Sequence, residues 1–173
     1  YFRSDIQCLK KGGSSCYAVM GENQYHAIFG GGPCFFVHPS DVAVALTALQ
    51  AQVAIAGPAG NKSTKIDSFF VSPKKAVTKE NVLLPGEIVT EIRVPAAGAS
   101  SRSSFRKIAA RGSWDFALAS VAVALQIDSE GVRAARIVLG GVGPYPWRAE
   151  AAEKLLVGKK LDSAAAAAAG EAA

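Results

Sequence analysis

The sequence has little of what self-contained catalysis requires. It holds two histidines, His26 and His38, and no Gly-x-Ser-x-Gly elbow, P-loop or His-Glu-x-x-His pair, so hydrolytic, phosphate-binding and metalloprotease chemistry lack their residues. Gly30-Gly31-Gly32 does not match Gly-x-Gly-x-x-Gly and does not sit between a strand and a helix, which makes it weak as a dinucleotide loop. No apolar run approaches the about 18 residues of a membrane span, and Tyr1-Phe2-Arg3 offers neither an initiator methionine nor a signal-peptide apolar core. The chain reads as soluble, with no membrane partner, and is expected to begin in mid-sequence. Charge is also sparse: 19% of residues are charged against 50% hydrophobic, which excludes a disordered chain and calls for a sizeable core or a covered face. The net charge of +5 comes from scattered pairs such as Lys10-Lys11, Lys74-Lys75 and Lys159-Lys160, a distribution that argues against a nucleic-acid partner.

Cysteine is absent after residue 34. Cys8, Cys16 and Cys34 form no Cys-x-x-Cys redox pair, and their odd number closes no disulfide framework. They sit in a glycine-rich stretch without apolar period, where ordering the backbone costs about 1–2 kcal/mol per residue; a bound metal offsets that cost. Three thiolates with His26 between them suit a Cys3His zinc site in a non-enzymatic interaction module, or three of the four ligands of an iron-sulfur cluster.

Regular structure is expected past Cys34. Val42, Ala45, Leu46 and Leu49 follow the stripe of an amphipathic helix, with Ser40 or Asp41 placed to cap it. Residues 53–56 and 64–71 read as strands about a Gly57-Pro58-Ala59-Gly60-Asn61 turn. Ile88, Thr90, Ile92 and Val94 alternate onto one face of a further strand that Pro95 ends. After a small-residue linker at 96–104, residues 104–110, 117–127 and 132–139 read as three antiparallel strands, and 148–157 and 164–169 as helices. Helices on one face of an antiparallel sheet make an α+β fold.

Several stretches together resemble a known family. They are Tyr1-Phe2-Arg3, Cys8, Gly13-Ser14-Ser15-Cys16, His26-Ala27-Ile28, His38-Pro39-Ser40-Asp41-Val42-Ala43-Val44-Ala45-Leu46 and Gly86-Glu87-Ile88-Val89-Thr90-Glu91-Ile92. Phe116-Ala117-Leu118-Ala119-Ser120-Val121-Ala122-Val123-Ala124-Leu125, Gly140-Gly141-Val142 and Pro146-Trp147-Arg148 follow in the same order. This set resembles the FAD-binding (medium) subunit of the xanthine dehydrogenase, or molybdenum hydroxylase, family, in the iron-sulfur-containing aldehyde oxidoreductase branch.

The resemblance implies an α+β chain holding the second part of a PCMH-type FAD-binding domain, followed by a C-terminal domain of antiparallel sheet with helices on one face. Residues 1–37 would be an iron-sulfur cluster loop, 38–98 the second FAD-binding subdomain, and 103–173 the C-terminal domain. It also implies FAD against Ser40, Asp41, Ile88, Val89 and Lys107, and a 4Fe-4S cluster on Cys8, Cys16 and Cys34. The fourth cysteine is expected immediately before Tyr1, the glycine-rich first flavin subdomain upstream of it, and further chain beyond Ala173. The implied partners are a molybdopterin-binding large subunit and a small 2Fe-2S subunit, in a bacterial cytoplasm or periplasm. The implied role is the passage of electrons from iron-sulfur clusters to FAD and an external acceptor.

Overall fold

The computed structural model of the chain describes residues 5–173, so Tyr1, Phe2 and Arg3, which carry part of the resemblance, lie outside the described residues. Residues 5–40 are irregular apart from single turns such as the 3-10 turn Leu9–Lys11, as their glycine content and lack of apolar period dictate. Helix α1 (Asp41–Ala48) begins where the Ser40 hydroxyl accepts the Ala43 N–H at 3.1 Å, satisfying one of the open donors of the first turn. Strands β1 (Gln52–Gly57), β2 (Gly60–Lys65) and β3 (Ile88–Arg93) then form an antiparallel sheet in the order β2-β1-β3.

Two expectations change here. The strand anticipated over 64–71 ends at Lys65, because the chain turns through a 3-10 segment that buries Ile66 against Ala51, Val53 and Ile55. The alternation in β3 buries no face: all six of its residues are exposed, since β3 is a sheet edge that no described element covers.

The second sheet consists of β4 (Ser101–Ile108), β5 (Ala119–Asp128), β6 (Gly131–Gly140) and the two-residue β7 (Trp147–Arg148), antiparallel in that order. Helices α2 (Glu150–Leu156) and α3 (Ser163–Glu171) cover one face, where Leu125, Ile137, Ala152, Leu156 and Ala169 pack together. The Asp162 carboxylate caps α3 through the Ala165 N–H at 2.7 Å, so the alanine run is a packed helix. The opposite face is covered by α1, whose Val44 and Ala48 bury against Ala122 and Val138. Burial on both faces explains why β5 is apolar without alternation from Val121 to Leu125. Complete burial of a side chain such as Val44 or Val138 contributes about 1.5–3 kcal/mol.

Gly140 makes that close approach of α1 possible: a Cβ there would lie 2.5 Å from Val44 Cγ2 and 2.5 Å from Ser120 Oγ. Arg136, also on the α1 side of β6, donates from Nε to the Thr47 carbonyl at 3.1 Å and grips both carboxylate oxygens of Asp67 at 2.8 and 2.7 Å. One side chain thus ties β6, the C-terminal end of α1 and the turn after β2. Among the described residues no helix is long and apolar enough to cross a membrane.

Candidate functional site

Backbone hydrogen bonds shape the cysteine segment. The Cys8 carbonyl accepts from Lys11 and Gly13, each at 2.9 Å, and the Leu9 N–H reaches the Ser15 carbonyl at 2.8 Å, folding Cys16 back toward Cys8. Gly13 must be glycine, since a Cβ would lie 2.3 Å from the Gln7 carbonyl oxygen. Further along, Ile28 and Phe29 donate to the Val142 carbonyl at 2.8 and 2.9 Å, and His38 to that of Gly143 at 2.9 Å. Phe29 stacks on Trp147 with centroids 5.3 Å apart. The Gly140-Gly141-Val142 and Pro146-Trp147-Arg148 motifs therefore seat the cysteine segment on the second sheet. Arg148 itself is locked by the buried Glu153, which also accepts the Ile137 N–H at 3.0 Å.

The seated segment, the N-terminus of α1 and residues 110–118 enclose a cavity of about 630 Å³. Cys8, Cys16 and Cys34 all line it, as do Ser40, Asp41 and Phe116. Burial pushes the Cys34 thiol up, the Phe36 N–H and the Lys10 charge pull it down, and Cys16 and Cys8 act on it as like charges. The three sulfurs are thus electrostatic neighbours around one space. Among the described residues, however, no three His, Cys, Asp or Glu side chains converge as a single metal ion requires. A tetrahedral zinc draws its ligands to about 2.0–2.3 Å of one point. The Cys3His zinc module with His26 is accordingly not supported, because the thiols ring a cavity instead of meeting at a point.

Asp41, the first residue of α1, accepts from Lys107 of β4 at 2.7 Å, and the same ammonium donates to the Asp115 carbonyl at 2.7 Å. Two candidate residues from opposite sides of the linker are therefore in direct contact. Ser40 reaches the cavity wall while its hydroxyl caps α1. Ile88 and Val89 pair with Ala56 and Ile55 at the sheet edge and are exposed, but they are not part of the cavity lining. An open apolar edge and a polar helix terminus with an ion pair together suit the two kinds of surface that a flavin dinucleotide presents, ring and phosphate chain.

Other residues of the site have no signature in sequence. Lys10 lines the cavity from a buried position, and nothing in Lys10-Lys11 distinguishes it from its neighbour. His38 also lines the cavity, with its ring edge-on to Phe70 at 4.8 Å and, among the described residues, no hydrogen-bond partner for either nitrogen. Burial holds the His38 pKa below its ordinary value, with Glu80 opposing. Trp114, 94% exposed, and the exposed Phe116 add aromatic surface beside Asp115.

Residues 23–97 match the FAD binding domain in molybdopterin dehydrogenase, and residues 104–173 the CO dehydrogenase flavoprotein C-terminal domain. The aldehyde oxidoreductase FAD-binding subunit PaoB of Escherichia coli strain K12 is 37% identical over 159 residues, 90% of this chain and 48% of that protein. The glyceraldehyde dehydrogenase medium chain of Sulfolobus acidocaldarius is 36% identical over 123 residues, 71% of this chain and 41% of that one. Carbon monoxide dehydrogenase from Hydrogenophaga pseudoflava shares the fold with a TM-score of 0.70 at 34% identity, across 78% of this chain and 45% of that chain. The chain spans about half the length of the curated relatives it matches. With two successive domain matches and a fold shared at this identity, the chain belongs to the FAD-binding medium subunits of the molybdenum hydroxylase family.

Proposed function

We propose that this chain is the electron-transfer flavoprotein part of a molybdenum-containing hydroxylase of the aldehyde oxidoreductase or xanthine dehydrogenase type. In this reading residues 1–37 form the cluster loop, 38–98 the second FAD-binding subdomain and 103–173 the C-terminal domain. FAD binds against Ser40, Asp41, Ile88, Val89 and Lys107, and a 4Fe-4S cluster on Cys8, Cys16 and Cys34 together with one further ligand. The partners are a molybdopterin-binding large subunit, where substrate is oxidised, and a small 2Fe-2S subunit.

The observation that carries the proposal is the shared cavity. Its wall holds three neighbouring thiols and the Asp41 end of the Asp41–Lys107 pair, so a thiolate-bound group and a flavin would be neighbours. When bound, FAD supplies the ability to accept and release electrons one or two at a time. The chain's own residues do the rest: Lys107 places a cation beside Asp41, Ser40 shapes the start of α1, and Ile88 and Val89 offer apolar surface. The exposed apolar residues of β3, β4 and the 114–118 segment suit coverage by neighbouring protein.

Metal and flavin analysis of the full-length subunit tests this reading. The expected result is bound FAD together with iron and acid-labile sulfide, and a broad absorption near about 400 nm that dithionite bleaches. Cys16→Ser should remove the iron-dependent absorption and retain the flavin bands. Stoichiometric zinc without colour, or a wild-type subunit without flavin, would overturn it.

A further inference from the structure

Lys10 is 6% exposed, an unusual place for an ammonium, since lysine is almost never buried without partners. Here every N–H has an acceptor within reach: the Val77 carbonyl at 3.3 Å, the Lys79 carbonyl at 3.2 Å and the Glu80 carboxylate at 3.4 Å. The open side of the ammonium lies over the buried Phe36 ring, 3.9 Å from its centroid. The three acceptors belong to a segment tied to the chain that follows β2, through the Val71 N–H to the Glu80 carbonyl at 3.0 Å and a bridge between Phe70 and Asn81. Along the chain, Lys10 follows Cys8 by two residues and Phe36 follows Cys34 by two.

We propose that Lys10 is the positioning residue of the thiol site: it clamps the backbone beside Cys8 and, through Phe36, beside Cys34, and it sets a fixed positive charge next to the group those thiols hold. The clamp needs no cluster. The electrostatic half rests on the cluster reading given above. The geometry supports both roles, because Lys10 lines the same cavity as the three sulfurs and its ammonium rests on the Phe36 ring, two residues from Cys34. A surface lysine at this position would be screened and would position nothing. A buried one, fully satisfied, is both rigid and electrostatically strong.

The charge half predicts a sign. Reduction adds negative charge to a cluster, so a nearby cation favours the reduced form and its removal lowers the midpoint potential. Glu80 makes the opposite prediction. Its neutralisation leaves Lys10 in place and strips the compensating anion, so the potential should rise. A merely structural disturbance would not produce opposite signs in two variants of one ion pair.

The experiment uses the full-length subunit with Lys10→Met, Lys10→Arg and Glu80→Gln, each carried through two readouts. The first is limited proteolysis of the metal-free protein within residues 9–36. Lys10→Met should be cut faster by about ten-fold or more, as the loss of hydrogen bonds to a buried charge implies for local opening, while Lys10→Arg stays close to wild type. The second is an electron-paramagnetic-resonance-monitored redox titration of the iron-loaded protein, with the midpoint lowered in Lys10→Met, raised in Glu80→Gln and near wild type in Lys10→Arg. If wild type binds no iron and Lys10→Met is still cut faster, the clamp stands and the cluster reading falls. If wild type carries the cluster and neither proteolysis nor potential responds to Lys10→Met, the Lys10 proposal falls and the cluster reading stands. Shifts of the same sign in Lys10→Met and Glu80→Gln would also overturn the electrostatic role.

Discussion

Lys107 Nζ donates to Asp41 Oδ2 at 2.7 Å across 66 positions of sequence, joining the edge strand of the second sheet to the first turn of α1. Both side chains keep about a third of their exposure, 28% and 34%, so the pair contributes only about 0–1 kcal/mol to stability. Its consequence is electrostatic: it fixes where a cation sits and how much of its charge is offset. In the flavin-loaded subunit, Lys107→Met should lower the flavin midpoint potential, because a cation that stabilises the reduced ring is gone. Asp41→Asn should raise it, because the same cation is then uncompensated. Spectroelectrochemical titration checks both signs, and unchanged potentials with full flavin content would refute the role given to the pair.

Gly140→Ala should destabilise the protein by about 1–3 kcal/mol, the usual range for forcing atoms into a filled core. The added Cβ meets Val44 Cγ2 and Ser120 Oγ at 2.5 Å, so α1 must lift from the sheet. Thermal unfolding reads the loss, and Val44→Ala in the same background should recover part of it. Glycine at 60, by contrast, faces open space, and its requirement is its backbone angle, φ +105°.

Arg136→Met should also weaken the fold, by about 1–3 kcal/mol, since hydrogen bonds to a charged group are lost on both the Asp67 carboxylate and the Thr47 carbonyl. Asp67→Asn should cost less than Arg136→Met, as the Thr47 contact survives. Urea unfolding at neutral pH, with high salt as a control for screening, distinguishes the two.

Acidification should act through His38. Burial lowers its folded pKa below the ordinary 6.5, against a smaller opposing influence of Glu80. In the window between the two values the unfolded chain binds a proton that the folded chain does not, so stability rises with pH there and falls as the pH drops through 6.5. His38→Gln should therefore flatten the stability profile between about pH 7 and pH 5, where histidine titrates. Urea midpoints measured across that window provide the test, and parallel profiles would sink the idea.

Local structure was legible in the residues themselves. Ser40 before Asp41 announces a capped helix, and α1 starts at Asp41 as the cap dictates, but the stripe read at Val42, Ala45, Leu46 and Leu49 is not its buried face: Val42 and Leu49 are exposed, while Ala43, Val44, Thr47 and Ala48 are buried because the second sheet packs on that side. Asp128-Ser129-Glu130-Gly131 announces the turn between β5 and β6, where Gly131 takes φ +135°. Asp162 or Ser163 announces the last helix. Each of these depends on interactions within about four residues, which sequence spacing encodes directly. Family resemblance added the flavin candidates to the thiols already legible in the cysteine pattern, and Cys8, Cys16, Cys34, Ser40 and Asp41 all line the one cavity.

Burial and partnership belonged to the tertiary structure. The pattern of β3 reads as one buried face, yet the strand is exposed throughout, because whether a face is covered depends on what packs there and not on the strand. Lys10 and Lys11 are identical in sequence context, and only the approach of residues 77–80 buries one of them over Phe36. Gly140 reads as a break, but its function is to admit Val44 from a helix about a hundred residues earlier. Lys107 gains its meaning only when the second sheet meets α1. Long-range contacts of this kind are set by packing of whole elements, so spacing along the chain determined the helix, the turns and the candidate ligands, while the assembled core decided which charges are paired, buried and placed to act.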